Sequence, residues 1–305
     1  MDEVLRQQDR RTLSRAEMQR RHEHMSDVSP EVGALDEAAL AGALEDDLDE
    51  GVSLLVDLTR ATDPRLRERA RRVASSLVVP AARVSGPSVA GGSSRLGPVR
   101  DGGVDLDLDA TLEQLGETPQ LRAGDLRWRG WRRPGRAVVL LIDASGSVTG
   151  PPLTTAVVTA AALAARSGPS DELAVVAFWS RSVVLRHMGD PSPASRAVDR
   201  VLALRGGDTT DLAGGLTAAL SQMALATAGR RDVIVLTDGM ANEGGDPLSV
   251  AASAAGVGAY VHVLALSPDE EALEACQALA AAGGGRLAVL ERAAEAPAAV
   301  ASILA

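Results

Sequence analysis

The 305-residue chain is 46 % hydrophobic but only 2 % aromatic, so its one or two cores must be built from Ala, Val and Leu. Its formal charge of −10 argues against nonspecific nucleic-acid binding, which rests on attraction to phosphate. All 31 basic residues are arginine, and the missing lysine excludes a Walker A phosphate loop, a kinase-type phosphate lysine and Schiff-base chemistry.

Residues 1–24 mix charges densely at helical propensity and predict a solvated, fraying helix. His22 and His24 stand two apart, which on a helix sends them to different sides, so both are expected in solvent. From Asp36 to Leu77, apolar residues recur at spacings of three and four, among them Leu40, Leu44, Leu48, Val52, Leu55 and Leu58. That periodicity predicts two or three short helices, and Asp63-Pro64 reads as a further helix start. A helical module over 1–79 is therefore expected.

The stretch 80–135 opens rich in Gly, Pro and Ser and reads as a linker and docking segment. Within it, Asp105-Leu-Asp-Leu-Asp109 alternates strictly, which predicts an exposed edge strand with three carboxylates on one face. The sharper alternative is that one of those aspartates docks on a metal. Trp128 and Trp131 stand among arginines over 127–133 and read as packing residues.

From 136 to 305, strands and helices alternate. Strands are predicted over 137–143, 172–179, 181–187, 232–237, 259–266 and 286–290. Helices are predicted over 152–165, 194–204, 211–227 and 247–255, with one opening at 268–271 and a last one ending at 305. The short link between 172–179 and 181–187 makes a hairpin, hence one antiparallel edge strand. Such alternation means an α/β fold with a doubly wound, mainly parallel sheet covered on both faces. The single cysteine, Cys276, is expected as a small core residue in an Ala-rich helix. With no export signal at the start and no apolar stretch of membrane-spanning length, a cytoplasmic protein is expected.

Two of the predicted strands end in acid. The run 137–142 leads into Asp143-Ala-Ser145-Gly-Ser147, and the run 233–236 into Thr237-Asp238-Gly239. Between them, the loop Gly206-Gly-Asp-Thr-Thr-Asp211 supplies a threonine, Thr210 or Thr209. The carboxyl ends of neighbouring strands in an open α/β sheet converge on one ligand crevice. Asp143, Ser145, Ser147, Thr210 and Asp238 are therefore the candidate metal ligands. All are hard oxygen donors, which suits Mg²⁺ or Mn²⁺ and suits zinc or copper poorly. Three hydroxyls and two carboxylates leave such a cation incompletely neutralised, with a position open to a carboxylate from another molecule. No general base or activated nucleophile stands beside them, so binding is expected rather than catalysis. The plainer alternative is that Asp143 and Asp238 cap turns, while Ser145 and Ser147 open the next helix.

Taken in order, these pieces resemble the metal-ion-dependent adhesion site of von Willebrand factor type A (VWA) domains, over roughly the last 170 residues. Aligning Thr210-Asp-Leu-Ala with the family's Gly-Thr-x-Leu-Ala favours Thr210 over Thr209. The words around Asp238, LTDGMAN, resemble the VWA part of magnesium-chelatase D subunits and the VWA partners of MoxR-type ATPases. DLDLDATL, then a Trp/Arg stretch, then the VWA strand is similar to bacterial CoxE-type proteins, companions of MoxR-family AAA+ ATPases. The resemblance implies a metal-dependent adaptor, not an enzyme, that presents a client protein to an AAA+ ring. A noncatalytic subunit of a magnesium or cobalt chelatase is the alternative. The ATPase-like domain and acidic Pro-rich linker of the usual D subunit are not found here. An adhesion protein is the third reading.

Overall fold

A computed structural model describes residues 12–84, 95–99, 104–115, 125–132, 135–146, 150–204, 206–207 and 209–305. The first helix, α1 (Arg15–Arg21), starts on a reciprocal capping box. The Ser14 hydroxyl accepts from the Glu17 amide, and the Glu17 carboxylate accepts from the Ser14 amide at 2.8 Å. Met18 turns fully inward and Leu13 pairs with Ala61. The expectation of a solvated helix thus fails from Leu13 onward, because two apolar side chains in the charged run find a core. The expected helix over 1–11 lies outside the described residues.

Four more helices follow: α2 (Met25–Val28), α3 (Glu37–Asp46), α4 (Leu48–Leu58) and α5 (Pro64–Val84). Asp36 caps α3 and Asp47 caps α4, each carboxylate accepting two backbone amides of the first turn. Helix α5 runs on past residue 79, through Pro80. A proline inside a helix frees the carbonyl four residues back. Here Ser76 and Pro80 are both exposed, so water can satisfy that carbonyl while Val78 and Ala82 stay packed.

His22 corrects the expectation of exposure. It is buried between two carboxylates of α4, with Nδ1 2.7 Å from Glu50 and Nε2 2.9 Å from Asp57. Asp57 also pairs with Arg21 at 3.3 Å. The residue falls at the end of α1, where the chain leaves helical geometry, so the helical argument about direction does not hold there.

A separate unit spans Val89–Gly135. Its described strands, β1 (Arg95–Val99), β2 (Asp105–Leu106) and β3 (Trp128–Arg132), make an antiparallel sheet in the order β1-β3-β2, with α6 (Leu108–Leu115) after β2. The alternating aspartates do not form the long strand expected of them. Asp107 accepts from the Ala110 amide at 3.2 Å and from Arg129 Nε at 2.7 Å, and so starts α6. A helix cap outcompetes the alternation.

The rest is an α/β layer structure. In chain order it runs β4 (Arg136–Asp143), α7 (Pro151–Arg166), β5 (Glu172–Phe178), β6 (Ser182–Arg186), α8 (Arg196–Leu202), α9 (Leu212–Met223) and β7 (Arg230–Thr237). Then come α10 (Pro247–Ala252), β8 (Ala259–Ala265), α11 (Glu270–Ala282), β9 (Gly284–Val289) and α12 (Ala296–Ile303). The sheet order is β6-β5-β4-β7-β8-β9, parallel except for β6, which forms the expected antiparallel edge. Alternate residues of β4 feed opposite cores: Val138, Leu140 and Ile142 join one, Ala137, Val139 and Leu141 the other. At the amino ends of the strands, the buried Asp232 is ringed by Arg136, Arg230 and His262 within 3.5 Å.

Helices α1–α5 belong to the same unit as this sheet. Helix α7 explains why. It is buried from Leu153 through Leu163 on every side, with the sheet beneath it and α4, α5, α8 and α12 around it. Asp49 accepts from the Ala294 amide at 2.9 Å and Ser75 donates to Asp199 at 3.4 Å. Among the described residues no helix is long and apolar enough to cross a membrane.

The His22 cluster carries a pH test. Burial, the largest single effect, opposes a charge on His22; hydrogen bonds and charge from Asp57 and Glu50 outweigh it and raise the pKa above the ordinary 6.5. A raised native value means stabilisation that is complete below pH 6.5 and lost as pH climbs through that higher value. Urea midpoints measured between pH 5.5 and 8.5 should fall for the wild type and change less for His22→Gln.

Candidate metal centre

Strand β4 is where the sheet topology reverses: the chain passes from it to β5 on one side and later returns to β7 on the other. The crevice beyond such a point is the ordinary ligand site of an open α/β sheet. The β4–β7 register pairs Ile142 with Leu236, which sets Asp143 beside Thr237. The Thr237 hydroxyl donates to Asp143 Oδ2 at 2.8 Å, and the Ser145 amide donates to Oδ1 at 2.9 Å. The Ser145 hydroxyl also hydrogen-bonds Asp143, and the charge of Asp238 acts on it. Burial, then that neighbouring charge, raise the Asp143 carboxyl above its ordinary value, against the pull of the hydrogen bonds.

Backbone contacts bring the Thr210 loop to the same crevice. Gly207 bridges Ser145 and donates to the Ala144 carbonyl at 2.9 Å. Thr210 is buried; its amide donates to Asn242 Oδ1 at 2.8 Å, and its carbonyl accepts from the Asn242 and Glu243 amides at 3.2 Å. Thr210 is thereby tied to the loop that carries Asp238. Asp211 caps α9, accepting from the Gly214 amide at 2.8 Å, and its own amide donates to the Trp179 carbonyl. Ser147 and Asp208 lie outside the described residues.

Two glycines let the loops close. A side chain on Gly207 would put its Cβ 2.2 Å from the Trp179 ring. Gly239 takes φ +82° and faces the Ala272 carbonyl and Cys276 Sγ, so a Cβ there meets both backbone strain and a wall. Cys276 is the buried core residue its setting suggested, its thiol pushed to about 11 by burial and then by the charge of Asp238. Gly146 has open space around it and supplies only a positive φ.

Sequence reasoning missed three contributors. Thr237 was in view as the last residue before Asp238, but only the register shows that it faces Asp143. Asp211 had a legible signal, an acid three residues before a helical Gly214. Asn242 closes the LTDGMAN segment, but nothing there points to its partner Thr210, 32 positions away.

The donor set fits a hard divalent cation. Asp143 and Asp238 repel across a partly desolvated crevice, and the neighbouring protein groups that act on Asp143 are hydroxyls and an amide, not cations. Asp143 at the end of a parallel strand, Ser145 after it, the threonine loop and a second strand-end aspartate define an α/β domain with an acidic crevice at its topological switch point. A family model, "von Willebrand factor type A domain", matches residues 137–293, just over half of the chain. The chain belongs to the VWA family, whose members often bind a metal at this motif.

A curated relative, the uncharacterized protein Rv2850c of Mycobacterium tuberculosis, is 35 % identical over 206 residues. That alignment takes in 63 % of this chain but only 30 % of the relative's length. Among solved structures, an aerotolerance-related membrane protein from Bacteroides fragilis is 20 % identical, with 56 % of this chain and 98 % of that one covered, at TM-score 0.47. A VWA protein from Catenulispora acidiphila is 19 % identical, with 56 % and 42 % covered, at TM-score 0.45. Manganese-loaded TRAP protein from Plasmodium vivax is 18 % identical, with 48 % and 63 % covered, at TM-score 0.40.

Gly207→Ala should lower the urea midpoint, by an overpacking cost of about 1–3 kcal/mol. Gly229→Ala, where a Cβ meets nothing within 4 Å, should leave the midpoint close to wild type.

Proposed function

We propose that this protein is a metal-dependent protein-binding adaptor, with Asp143, Ser145, Ser147, Thr210 and Asp238 holding Mg²⁺ or Mn²⁺. The observation that carries the reading is Asp143 itself: a half-buried carboxylate, oriented by Thr237 and Ser145, with Asp238 close enough to disfavour its charge. Two such carboxylates in a desolvated crevice are costly unless a cation pairs with them. A divalent ion bound there would supply a coordination position for an acidic side chain of a partner protein. The chain's own task is positioning. Thr237 fixes the rotamer of Asp143, Asn242 holds the Thr210 loop, and the Met240 amide fixes Asp238 Oδ1 at 3.0 Å.

The partner in this reading is a MoxR-type AAA+ ATPase, with the present chain as its CoxE-like VWA companion in the cytoplasm. Support comes from the LTDGMAN and DLDLDATL wording, and from the lysine-free composition, which leaves phosphate chemistry to another subunit. The helical module packed on α7 would add a second surface for that ring or for its client.

Isothermal titration should show Mg²⁺ and Mn²⁺ binding to the wild type and none to Asp143→Ala, whose circular dichroism stays native. Ser147→Ala, lacking one neutral ligand, should weaken uptake without abolishing it. Immobilised wild type should retain an AAA+ ATPase from lysate in Mg²⁺ and release it in EDTA. Equal metal uptake by Asp143→Ala would remove the site; retention that ignores EDTA would remove its role in partner binding.

A further inference from the structure

Resting on the adaptor reading, the crevice can be asked which acidic segment it accepts. Two exposed side chains stand at matching places on its rim. Arg181 lies three residues beyond the end of β5, and Met240 three residues beyond the end of β7. Between those strands runs β4, which ends at Asp143.

Arg181 stacks on Trp179, its guanidinium carbon 5.8 Å from the ring centroid. Trp179 is buried and fixed from several sides. Its amide donates to the Arg181 carbonyl, its carbonyl accepts from Asp211, and its ring lies against Gly207, the residue that bridges Ser145. The arginine is therefore tied to both loops of the site. Yet it is exposed and pairs with no carboxylate among the described residues. Such a cation on a rigid aromatic platform, at the edge of a crevice that holds Asp143 and Asp238, complements a second acid on an incoming chain. On the opposite rim, Met240 is 50 % exposed, while its amide is locked to Asp238. A flexible thioether in that place accepts an apolar side chain.

Spacing turns these two residues into a pattern. Neighbouring strands lie about 4.8 Å apart, so β5 and β7 lie roughly 10 Å from each other with β4 midway, and the long Arg181 and Met240 side chains extend the reach on either flank. Alternate residues of an extended chain fall about 7 Å apart on one face. We propose that the crevice recognises an extended partner segment of pattern acid-x-acid-x-apolar. The central acid completes the shell of the cation, the outer acid pairs with Arg181 and the apolar residue packs on Met240.

The test uses the full chain and fluorescein-labelled blocked peptides, Gly-Glu-Ser-Asp-Ser-Leu-Gly and its reverse, read by anisotropy in Mg²⁺ and in EDTA. Binding by at least one peptide is expected in Mg²⁺ and not in EDTA. Arg181→Gln should weaken that peptide roughly fivefold, yet leave unchanged a version with Gln in place of the outer Glu. Arg181→Lys should retain most of the affinity. Met240→Ser should weaken the Leu peptide about threefold and spare a Ser version. Equal effects of Arg181→Gln on both peptides would overturn the pattern. So would an absence of wild-type binding at millimolar peptide, provided that calorimetry shows Mg²⁺ uptake. An absence of Mg²⁺ and Mn²⁺ uptake by the wild type would instead sink the adaptor reading beneath it.

Discussion

Two acids at the carboxyl ends of adjacent parallel strands govern this molecule. The β4–β7 register leaves no choice about who faces whom: with Ile142 opposite Leu236, Thr237 meets Asp143 and Asp238 follows at once. Burial then makes Asp143 expensive to charge, since its carboxylate loses water while feeling the charge of Asp238. The local hydrogen bonds relieve part of that cost and fix the orientation. The cation proposed above would offset the remainder.

The scaffold serves that demand by rigidity. Three loops meet at the crevice, and each is tied to another through backbone: Gly207 to Ser145, Thr210 to Asn242, Asp211 to Trp179. Such ties hold side chains within the narrow tolerance that the proposed ion binding would need. Below the site, α7 is buried on all sides, sealed by α4 and α5 of the amino-terminal helices. Ile142 and Ala144, on either side of Asp143, pack into the same core as α7 and those helices.

Much of the α/β part could be read from the residues. Runs such as Val138–Val139–Leu140 are fully apolar because both sheet faces are covered, and Pro151-Pro152 and Asp246-Pro247 mark helix starts. The strand-end acids of the candidate site were equally visible. What was hidden has a common physical cause, namely partners distant in sequence. His22 is buried because Glu50 and Asp57 arrive from α4, and Asn242 matters because Thr210 does. Local competition misled elsewhere: Asp107 caps a helix where alternation promised a strand, and exposed Pro80 sits inside α5 where a linker was expected to begin. The signal that α7 is covered all round was present in its lack of any charged residue before Arg166, which one-sided amphipathic reasoning overlooks.

The central claim is that the paired carboxylates exist to hold a divalent ion. Crystals soaked in Mn²⁺ and measured at the manganese absorption edge test it most directly. The account predicts one anomalous peak in the crevice, within coordination distance of Asp143 and of the Ser145 hydroxyl, with Asp238 in contact directly or through water. A well-ordered crevice with no anomalous peak at saturating Mn²⁺ would contradict it.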